Sequence, residues 1–512
     1  MRRILIANRG EIALRVVRAC RDLGLSPVMV YSEADRGSLP VRLADAAVPI
    51  GEAQASASYL NAAALIEAAL RSGADAIHPG YGFLAENADF AEAVAQAGLV
   101  FIGPPPAAMR AVGDKVEARR LMAKSGVPII PGLNDRAADG GTIAAFARQA
   151  GYPILLKAAA GGGGKGMRVV RAEGELAAAL RGARSEAKAS FGDDGVYAEK
   201  FLEGVRHVEI QMIADAHGHA VSLGERECSL QRRHQKLIEE SPSMAVDPAL
   251  RARMGALAVQ VAHASGYRNA GTVEFLLDGA GQPYFMEVNA RLQVEHPVTE
   301  MVTGLDLVRA QIEVAAGAPL PFRQEEVKPR GWAIECRILA EDPANGFRPH
   351  PGRIAAVRLP AGPGIRVDTA LQPGDEVSLH YDALIAKLVA WGADRDEAVR
   401  RMLRALREFQ IAGIRTTIPF HIEVLEGGDF RAGRFDIAWV DRMMPVLAPR
   451  LAAGGDAAEI AAVAAAVAAY EEARRGAPRG AEGPAPGDTA SPWVMAGRRV
   501  QMQGRGSRGR WA

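Results

Sequence analysis

The residues best suited to chemistry lie in segment 285–297, which reads F-M-E-V-N-A-R-L-Q-V-E-H-P. A strand over 285–288 would direct alternate side chains to one face, and that face would be almost wholly polar. A solvent-exposed edge strand could show the same alternation. The residue types favour a site instead, because carboxylate and amide oxygens suit a hard divalent cation and an arginine suits a bound anion. The alternating polar positions are Glu287, Asn289, Arg291, Gln293 and Glu295.

A further carboxylate, Glu274, lies in the strand-like run 271–278, which reads G-T-V-E-F-L-L-D. The Gly-rich turn over 278–282 predicts an antiparallel hairpin that brings Glu274 close to Glu287. Two facing carboxylates repel one another unless a cation lies between them. We therefore interpret Glu274, Glu287 and Asn289 as ligands of a magnesium ion that carries a nucleotide.

A run of four glycines interrupts the segment 152–170, which reads Y-P-I-L-L-K-A-A-A-G-G-G-G-K-G-M-R-V-V. It matches G-x-G-x-x-G, but the dinucleotide fingerprint requires a helix after the glycines, whereas 167–170 has the pattern of a second strand. We predict a hairpin with a mobile glycine tip whose backbone N–H groups close over phosphates. Lys157 on the incoming strand could reach a phosphate. The alternative is a flexible surface hairpin.

Three other stretches carry possible site residues. The alternating strand 206–215 places His207 and Glu209 on one face, although a lone histidine on a strand is usually a surface residue. The charge-dense stretch 225–236 is typical of a solvated loop, and only its position before the carboxylate hairpin favours a site wall. Loop 78–87 follows the carboxyl end of a strand, where open α/β sheets bind ligands, but it could equally be a Pro/Gly turn.

Bulk composition limits the classes of function. The chain has 512 residues with 61 Lys+Arg against 60 Asp+Glu, so no global field attracts it to nucleic acid or to a membrane. Its three cysteines include no C-x-x-C pair, which argues against a zinc site and against a disulfide framework. Apolar runs stay short of membrane-spanning length, and the first strand begins almost at the initiator Met. We therefore expect a soluble cytoplasmic enzyme.

The order of the predicted elements indicates several domains in a mixed α/β and α+β chain. Strands and helices alternate in the first hundred or so residues, which predicts a parallel sheet with helices on both faces. Residues 332–445 contain short strands followed by a helix over 396–408, which is typical of an α+β module. Beyond residue 451 an Ala-rich helix precedes Pro/Gly/Arg-rich sequence that we expect to be disordered.

Five motifs together resemble biotin carboxylase, the ATP-grasp component of biotin-dependent acyl-CoA carboxylases, from about Arg3 to Pro445. They read I-A-N-R-G-E-I-A-L-R, H-P-G-Y-G-F-L-A-E-N, K-A-A-A-G-G-G-G-K-G-M, Q-R-R-H-Q-K and E-V-N-A-R-L-Q-V-E-H-P-V-T-E. The resemblance implies a Rossmann-like N-terminal domain over 1–113 and an ATP-grasp domain over 114–318, with a mobile lid over about 131–203. It further implies a C-terminal biotin carboxylase domain over 331–446, which leaves 447–512 as an Ala-rich helix and tail.

The resemblance also implies a reaction in which ATP and bicarbonate form carboxyphosphate and the carboxyl group passes to the ureido nitrogen of biotin. Magnesium or manganese would be held by Glu274, Glu287 and Asn289. The implied nucleotide contacts are Lys115, Lys157, Gly163, Gly164, Glu199, Lys200, Phe201, Leu202, His207 and His234.

Bicarbonate is implied to bind Lys236, Arg291, Gln293 and the backbone of Val294, with Glu295 as its general base. Because a carboxylate is a poor base for bicarbonate in water, the cationic surroundings must stabilise the resulting dianion. Arg337 is implied to stabilise the enolate-like oxygen that forms when biotin loses its ureido proton. A planar, always-charged guanidinium suits that task better than a lysine does.

Two departures from the family pattern bear on partners. Ala290 precedes the implied active-site arginine where relatives often carry Thr or Pro, a change that we expect to be silent. The chain has no lysine after Lys387, so its tail cannot carry biotin. We therefore expect a free-standing subunit, implied to be a homodimer, that works with a biotin carboxyl carrier protein and carboxyltransferase subunits. The sequence leaves open whether acetyl-CoA, as in fatty-acid synthesis, another acyl-CoA or pyruvate receives the carboxyl group.

Two other functions fit part of the sequence pattern. The chain could be a different ATP-grasp ligase that activates a carboxylate as an acyl phosphate, but the bicarbonate set and Arg337 argue against that. It could also be a catalytically silent scaffold within a carboxylase assembly. A silent relative would have lost a metal ligand, the base or the biotin-site arginine, and all of these residues are present.

Overall fold

The computed structural model describes residues 1–133, 135, 139–159 and 167–453. The chain divides into two units, Met1–Ala452 and Ala453–Ala512. Apart from Ala453, the second unit lies outside the described residues, and so do the predicted Ala-rich helix and tail.

The N-terminal part is a five-stranded parallel sheet in the order β3-β2-β1-β4-β5, as its alternating sequence predicts. Helix α1 packs on this sheet through Ile12, Val16 and Ala19, which recur at helical spacing and are buried. The side chains of Asn61 and Asn87 cap the next two long helices by accepting backbone N–H bonds. Its elements are β1 (Arg3–Ile6), α1 (Gly10–Asp22), β2 (Ser26–Ser32), α2 (Leu39–Leu43), β3 (Ala46–Gly51), α3 (Ala62–Ser72), β4 (Ala76–His78), α4 (Ala88–Gln96), β5 (Val100–Phe101) and α5 (Pro106–Gly113).

The following part contains a small antiparallel sheet in the order β6-β9-β7-β8. Strands β7 and β8 form the predicted hairpin, whose tip at 160–166 lies outside the described residues. The elements are α6 (Lys115–Lys124), β6 (Gly132–Leu133), α7 (Gly140–Ala150), β7 (Ile154–Ala158), β8 (Arg168–Val170), α8 (Leu176–Phe191), β9 (Val196–Lys200), β10 (Arg206–Ala214), β11 (Ala220–Arg232), β12 (Gln235–Ser241), α9 (Pro248–Ser265), β13 (Asn269–Leu277), β14 (Pro283–Asn289), α10 (His296–Thr303) and α11 (Leu307–Ala315).

The C-terminal part continues the central sheet of the preceding part. Strand β15 pairs with β12, with Ile238 opposite Cys336, and extends an eight-stranded antiparallel sheet in the order β14-β13-β10-β11-β12-β15-β22-β20. The elements are β15 (Trp332–Leu339), β16 (Glu341–Asp342), β17 (Arg348–Pro349), β18 (Gly352–Arg353), β19 (Ala356–Arg358), β20 (Ile365–Thr369), β21 (Glu376–Val377), β22 (Leu384–Gly392), α12 (Arg395–Glu408), β23 (Gln410–Ala412), α13 (Ile418–Glu426), α14 (Gly428–Arg431) and α15 (Trp439–Ala453).

The charge-dense stretch 225–236 is not a solvated loop. It forms the end of β11 and the start of β12, in the middle of the large sheet, and most of its residues are buried. The structure accommodates the buried charges of β11 because each has an opposite charge beside it: Glu225 pairs with Arg251, Arg226 with Glu209, and Glu227 with Arg206. Sequence composition could not reveal those distant partners.

In the described residues, none of the helices combines the length and the apolar character needed to cross a membrane. The three cysteines are all buried and unpaired.

Phe420 tests how much the C-terminal core contributes to stability. Its ring is fully buried on α13 and packs edge-to-face on Phe347, with ring centroids 5.2 Å apart. We expect Phe420→Ala to lower the free energy of unfolding by about 3–5 kcal/mol, because the truncation leaves a cavity. Urea denaturation followed by tryptophan fluorescence measures the loss. The control is Leu60→Ala at a side chain that is 44% exposed, and an equal loss in both variants contradicts the prediction.

Candidate active site

The carboxylate hairpin forms as the sequence predicts. Strands β13 and β14 are antiparallel, and Glu274 lies directly opposite Glu287. The alternating pattern then ends with the strand at Asn289. Residues 291–294 form a loop, and Glu295 occupies the N-cap position of α10. The last polar groups of the segment are therefore brought to the site by a loop and a helix start, not by the strand period.

One ammonium group joins three buried carboxylates at the centre of the site. The Nζ atom of Lys236, on β12, lies 2.5 Å from Glu209, 2.8 Å from Glu274 and 2.6 Å from Glu295. All three carboxylates are less than 6% exposed. Such charges are tolerated away from water only when each is closely paired. Lys236 therefore fixes the relative positions of three separate strands and a helix start.

The same contacts set the protonation states of this cluster. Burial raises the pKa of Glu295, but the Lys236 and Arg337 charges outweigh that effect and hold the pKa well below its ordinary value. Burial lowers the pKa of Lys236, and the three carboxylates outweigh it and raise the pKa well above its ordinary value. Both groups are thus charged at neutral pH, and Glu295 is available as a proton acceptor.

Arg337, on β15, is held between two carboxylates. Its Nε donates to Glu239 at 2.5 Å, and a terminal nitrogen donates to Glu295 at 2.8 Å. The backbone carbonyl of Arg337 accepts hydrogen bonds from the Thr417 hydroxyl at 2.9 Å and the His421 ring at 2.7 Å. Backbone and side chain are both fixed, so the guanidinium has one orientation beside Glu295.

Arg291 is oriented by a residue that the sequence reasoning missed. Glu86, in loop 78–87, accepts from the Arg291 Nε at 3.0 Å and from the backbone N–H of Ala290 at 2.8 Å. Arg291 in turn donates to Gln293 at 2.8 Å and to Asn289 at 3.0 Å. Loop 78–87 therefore contacts the candidate site through Glu86, while Phe83 and Leu84 of the same loop pack against the N-terminal core as the alternative interpretation expects.

The sequence reasoning gave Arg226 no site role, and it noted Glu209 only as a neighbour of His207 on one strand face. The fully buried Arg226 guanidinium donates to Glu209 at 2.6 Å, to Gln211 at 2.7 Å, and to Thr272 and Thr299 at 3.0 Å each. Through Glu209 it supports Lys236. The alternation of polar residues on β10 was the available signal, but the strand partner that carries Arg226 is not apparent from sequence.

The residues proposed as metal ligands suit a divalent cation. Glu274 and Glu287 face one another across the hairpin, and each has a lysine ammonium beside it, Lys236 at 2.8 Å and Lys115 at 3.1 Å. The Asn289 side chain lies next to them with its amide nitrogen unpaired within the described part of the chain. Two oxygen anions and an amide oxygen that already attract positive charge form a donor set typical of magnesium.

A second group of potential ligands is less suited to a metal. Ligand atoms of His207, Glu209 and Glu274 all lie within 4.8 Å of one another. Glu209 is already neutralised by two cations, the fully buried Arg226 at 2.6 Å and Lys236 at 2.5 Å, and a metal there would have to displace both of them. Burial lowers the pKa of His207, but Glu274 at 3.2 Å outweighs it and raises the pKa, which favours the protonated imidazole over the neutral form that a metal needs.

A cavity of about 340 Å³ gathers the predicted nucleotide residues. Its apolar walls include Leu155 and Leu276, together with Ile437 from the C-terminal part, which the sequence did not indicate. Gly163 and Gly164 lie outside the described residues. The predicted nucleotide residues that line the cavity are Lys115, Lys157, Glu199, Lys200, Phe201, Leu202, His207 and His234, and Lys236, Glu274, Glu287, Asn289, Arg291, Gln293, Val294 and Arg337 line it too.

Local backbone geometry places two of these residues. His234 lies in the two-residue turn between β11 and β12, where Arg233 and His234 both have positive φ, at 48° and 65°. Residues other than glycine rarely adopt this backbone conformation, and such strain concentrates at functional sites. Glu199 on β9 is buried between Lys157 and Arg119, whose nitrogen lies 3.0 Å away. These contacts hold the Glu199 side chain at the cavity wall.

A second cavity of about 520 Å³ lies on the other side of the reactive residues. It is lined by loops of the N-terminal part, including Tyr81, and by the C-terminal part, including Tyr381. Its wall is shared with the first cavity at Lys236, Arg291, Val294 and Arg337. Two separate ligand spaces therefore meet at the cations around Glu295.

Three protein-family models match the chain. The model described as "Biotin carboxylase, N-terminal domain" matches residues 1–109, "Carbamoyl-phosphate synthase L chain, ATP binding domain" matches 114–323, and "Biotin carboxylase C-terminal domain" matches 335–442. Biotin carboxylase 1 of Bacillus subtilis (strain 168) is 52% identical over 442 residues, which cover 86% of this chain and 98% of the relative.

Two solved structures are similar over most of the chain. A biotin carboxylase from Campylobacter jejuni, crystallised as a "beta-gamma-ATP" complex, has a TM-score of 0.84 and 47% identity, covering 86% of this chain and 98% of its own. The biotin carboxylase domain dimer of Hydrogenobacter thermophilus 2-oxoglutarate carboxylase, crystallised with MgADP, ADP and bicarbonate, has a TM-score of 0.83 and 44% identity. It covers 86% of this chain and 97% of its own.

The carboxyl group of Glu239 provides a test with a defined pH dependence. Burial raises its pKa from 4.5 to about 7, although Arg337 lowers it. A carboxyl with a raised folded pKa stabilises the fold at low pH and loses that contribution as pH rises from 4.5 to about 7. We expect Glu239→Gln to raise the free energy of unfolding by about 1–3 kcal/mol near pH 8 and to leave it almost unchanged near pH 4.5.

Denaturation at both pH values checks this prediction, with the exposed Glu325→Gln as the control. A Glu239→Gln variant that is less stable than the parent protein near pH 8 contradicts it, because the Glu239 charge would then stabilise the fold through Arg337.

Proposed function

The chain belongs to the biotin carboxylase family, ATP-dependent ligases with an ATP-grasp domain, and from this premise we propose which residues carry each step. The proposed activity is the carboxylation of biotin by ATP and bicarbonate through carboxyphosphate. The observation that carries it is the wall shared by the two cavities, where Lys236, Arg291, Val294 and Arg337 line both spaces. That junction suits a small anion activated on one side and transferred to a second substrate on the other.

The smaller cavity is proposed to hold ATP. Lys115, Lys157 and His207 supply positive charge for the phosphates, and Gly163 and Gly164 are further proposed phosphate contacts. His234 and the segment 199–202 are proposed to contact the nucleoside. The lining of this cavity supports the role, because it combines apolar side chains with several lysines.

Glu274, Glu287 and Asn289 are proposed to bind magnesium, or manganese in its place. When bound, the ion would neutralise charge on the transferring phosphoryl group. These protein residues fix where the phosphate chain lies, because Glu287 also contacts Lys115 at 3.1 Å. The nucleotide and the bicarbonate residues are thus linked through one hairpin.

Bicarbonate is proposed to bind Lys236, Arg291, Gln293 and the backbone of Val294, beside Glu295. An arriving anion adds negative charge next to Glu295 and shares its cations, and both effects raise the pKa of that carboxyl group. Glu295 then accepts the bicarbonate proton while Lys236 and Arg291 stabilise the dianion. A bicarbonate oxygen attacks the γ-phosphorus, the bond to the β-phosphate oxygen breaks, and ADP leaves with carboxyphosphate formed.

Biotin is proposed to enter through the larger cavity. Arg337 lines that cavity and is held rigidly by Glu239 and Glu295, so its guanidinium can stabilise the ureido oxygen as the ureido nitrogen loses its proton. The bond between the carboxyl carbon and the phosphate oxygen breaks, the leaving phosphate takes up the ureido proton, and the nitrogen attacks the carboxyl carbon, so that inorganic phosphate is released. The fixed, planar donor lowers the cost of the charge that develops on oxygen.

The partners follow from the same proposal. Biotin is proposed to arrive on a separate carboxyl carrier protein, with carboxyltransferase subunits using the product. A homodimer is proposed by analogy with the dimeric 2-oxoglutarate carboxylase domain. Acetyl-CoA, another acyl-CoA or pyruvate is the proposed final acceptor, and the choice rests with the carboxyltransferase.

Glu295→Gln tests the proposed base. The substitution removes the proton acceptor and keeps the side-chain shape, so biotin-stimulated phosphate release from ATP with bicarbonate is expected to fall by roughly 100-fold or more. Nucleotide binding is expected to persist, because Glu295 does not line the smaller cavity. Phosphate release and binding of ADP are measured for the purified protein, with Glu325→Gln as the matched control.

Two results would count against the proposal. Full activity in Glu295→Gln would exclude this carboxylate as the base. A parent protein that binds nucleotide but releases no phosphate in response to bicarbonate, with free biotin and with a biotinylated carrier protein alike, would favour a scaffold role.

A further inference from the structure

Lys387 is a fully buried lysine that the proposed reaction does not use. It lies on β22, and its Nζ atom donates to the backbone carbonyl of Val294 at 3.0 Å. The same Nζ lies 3.2 Å from Glu11 and 3.8 Å from Asp368. One ammonium therefore connects the N-terminal helix α1, the C-terminal strands and the loop between Gln293 and Glu295.

Two carboxylates face this lysine, and burial raises the pKa of the nearer one, Glu11, to about 7 although Lys387 lowers it. Asp368 is already paired with both arms of the Arg366 guanidinium, at 2.9 and 2.8 Å. Burial holds the pKa of the nearby Glu335 carboxyl well above its ordinary value, so that group is neutral. Glu11 is buried in the first turn of α1, and its Oε1 atom contacts both Lys387 and the Tyr81 hydroxyl. Among the described residues Glu11 is the nearest carboxylate to the ammonium.

The bond to Val294 acts between two reactive side chains. Gln293 on one side contacts Arg291 and Glu274, and Glu295 on the other contacts Lys236 and Arg337. Within the described residues this loop pairs with no strand, and its neighbouring Gln293 carbonyl is held only by the backbone N–H and the ring of His296. A charged donor on the Val294 carbonyl replaces that missing support with a hydrogen bond stronger than a neutral one.

We propose that Lys387, held by Glu11, is a positioning residue that fixes the Val294 peptide and thereby sets the geometry of the bicarbonate site. This inference rests on the proposed function. Lys387 does not contact the substrates in this role, and it acts only through the loop 293–295. Most of the proposed nucleotide residues lie on other elements, and of this loop only Gln293 and Val294 line the smaller cavity. The effect is therefore expected to be much larger for bicarbonate than for ATP.

The test compares Lys387→Met with the double variant Glu11→Gln/Lys387→Met. The single variant leaves a buried Glu11 without its cation, which costs stability and can impair folding. The double variant removes both charges and keeps an acceptor for Tyr81, so it is expected to unfold near the parent temperature. Both variants lack the bond to Val294. Lys328→Met, at an exposed lysine, is the matched control.

Initial rates of phosphate release give KM for bicarbonate and for ATP in each protein. The double variant is expected to raise KM for bicarbonate by roughly tenfold or more and to leave KM for ATP within about twofold of the parent value. If the folded double variant has the same KM for bicarbonate as the parent protein, the inference is overturned, because Glu11 and Lys387 then serve only the stability of the fold. An equal rise in both KM values overturns it too. If the parent protein shows no bicarbonate-dependent turnover, that result contradicts the proposed function itself.

Discussion

The site depends on one ammonium group that three buried carboxylates share. Lys236 holds Glu209, Glu274 and Glu295 within 2.8 Å of its Nζ atom. In a water-poor interior these three anions would repel one another strongly, and they stay ionised because Lys236, Arg226 and Arg337 lie among them. The cluster joins β10, β12, β13 and the start of α10. The local fold therefore depends on the same ion pairs that balance the charges of the site.

That balance also explains how a weak base can be useful. A carboxylate whose pKa is held low by neighbouring cations is fully ionised, and it becomes a better proton acceptor only when another anion shares those cations. The proposed substrate is such an anion. The cations that stabilise the fold around Glu295 are then the ones that stabilise charge during the reaction, which limits how far any of them can be changed independently.

The second constraint is the continuous sheet. Because β15 pairs with β12, Arg337 and Lys236 lie on adjacent strands even though about a hundred residues separate them in the chain. The C-terminal part thus supplies Arg337 to one side of Glu295, and Lys387 to the loop that precedes it. Two cavities can meet at this point only because parts of the chain that look like separate modules share one layer of strands.

Sequence alone determined the elements whose signals are local. The parallel N-terminal sheet, the β7–β8 hairpin and the facing pair Glu274 and Glu287 followed from periodicity and turn residues, since these patterns act over a few positions. The motifs also led to the family and to many of the residues that line the smaller cavity.

Only the tertiary structure decided which distant residues complete the site. It turned the charged stretch 225–236 from an expected loop into central strands, and it brought Glu86, Arg226, Glu239 and Lys387 against the predicted residues. A buried charge is stable only beside its partner, and the partner can lie anywhere in the chain. Local sequence therefore revealed which side chains could do chemistry, whereas strand pairing and long-range ion pairs fixed where each of them points.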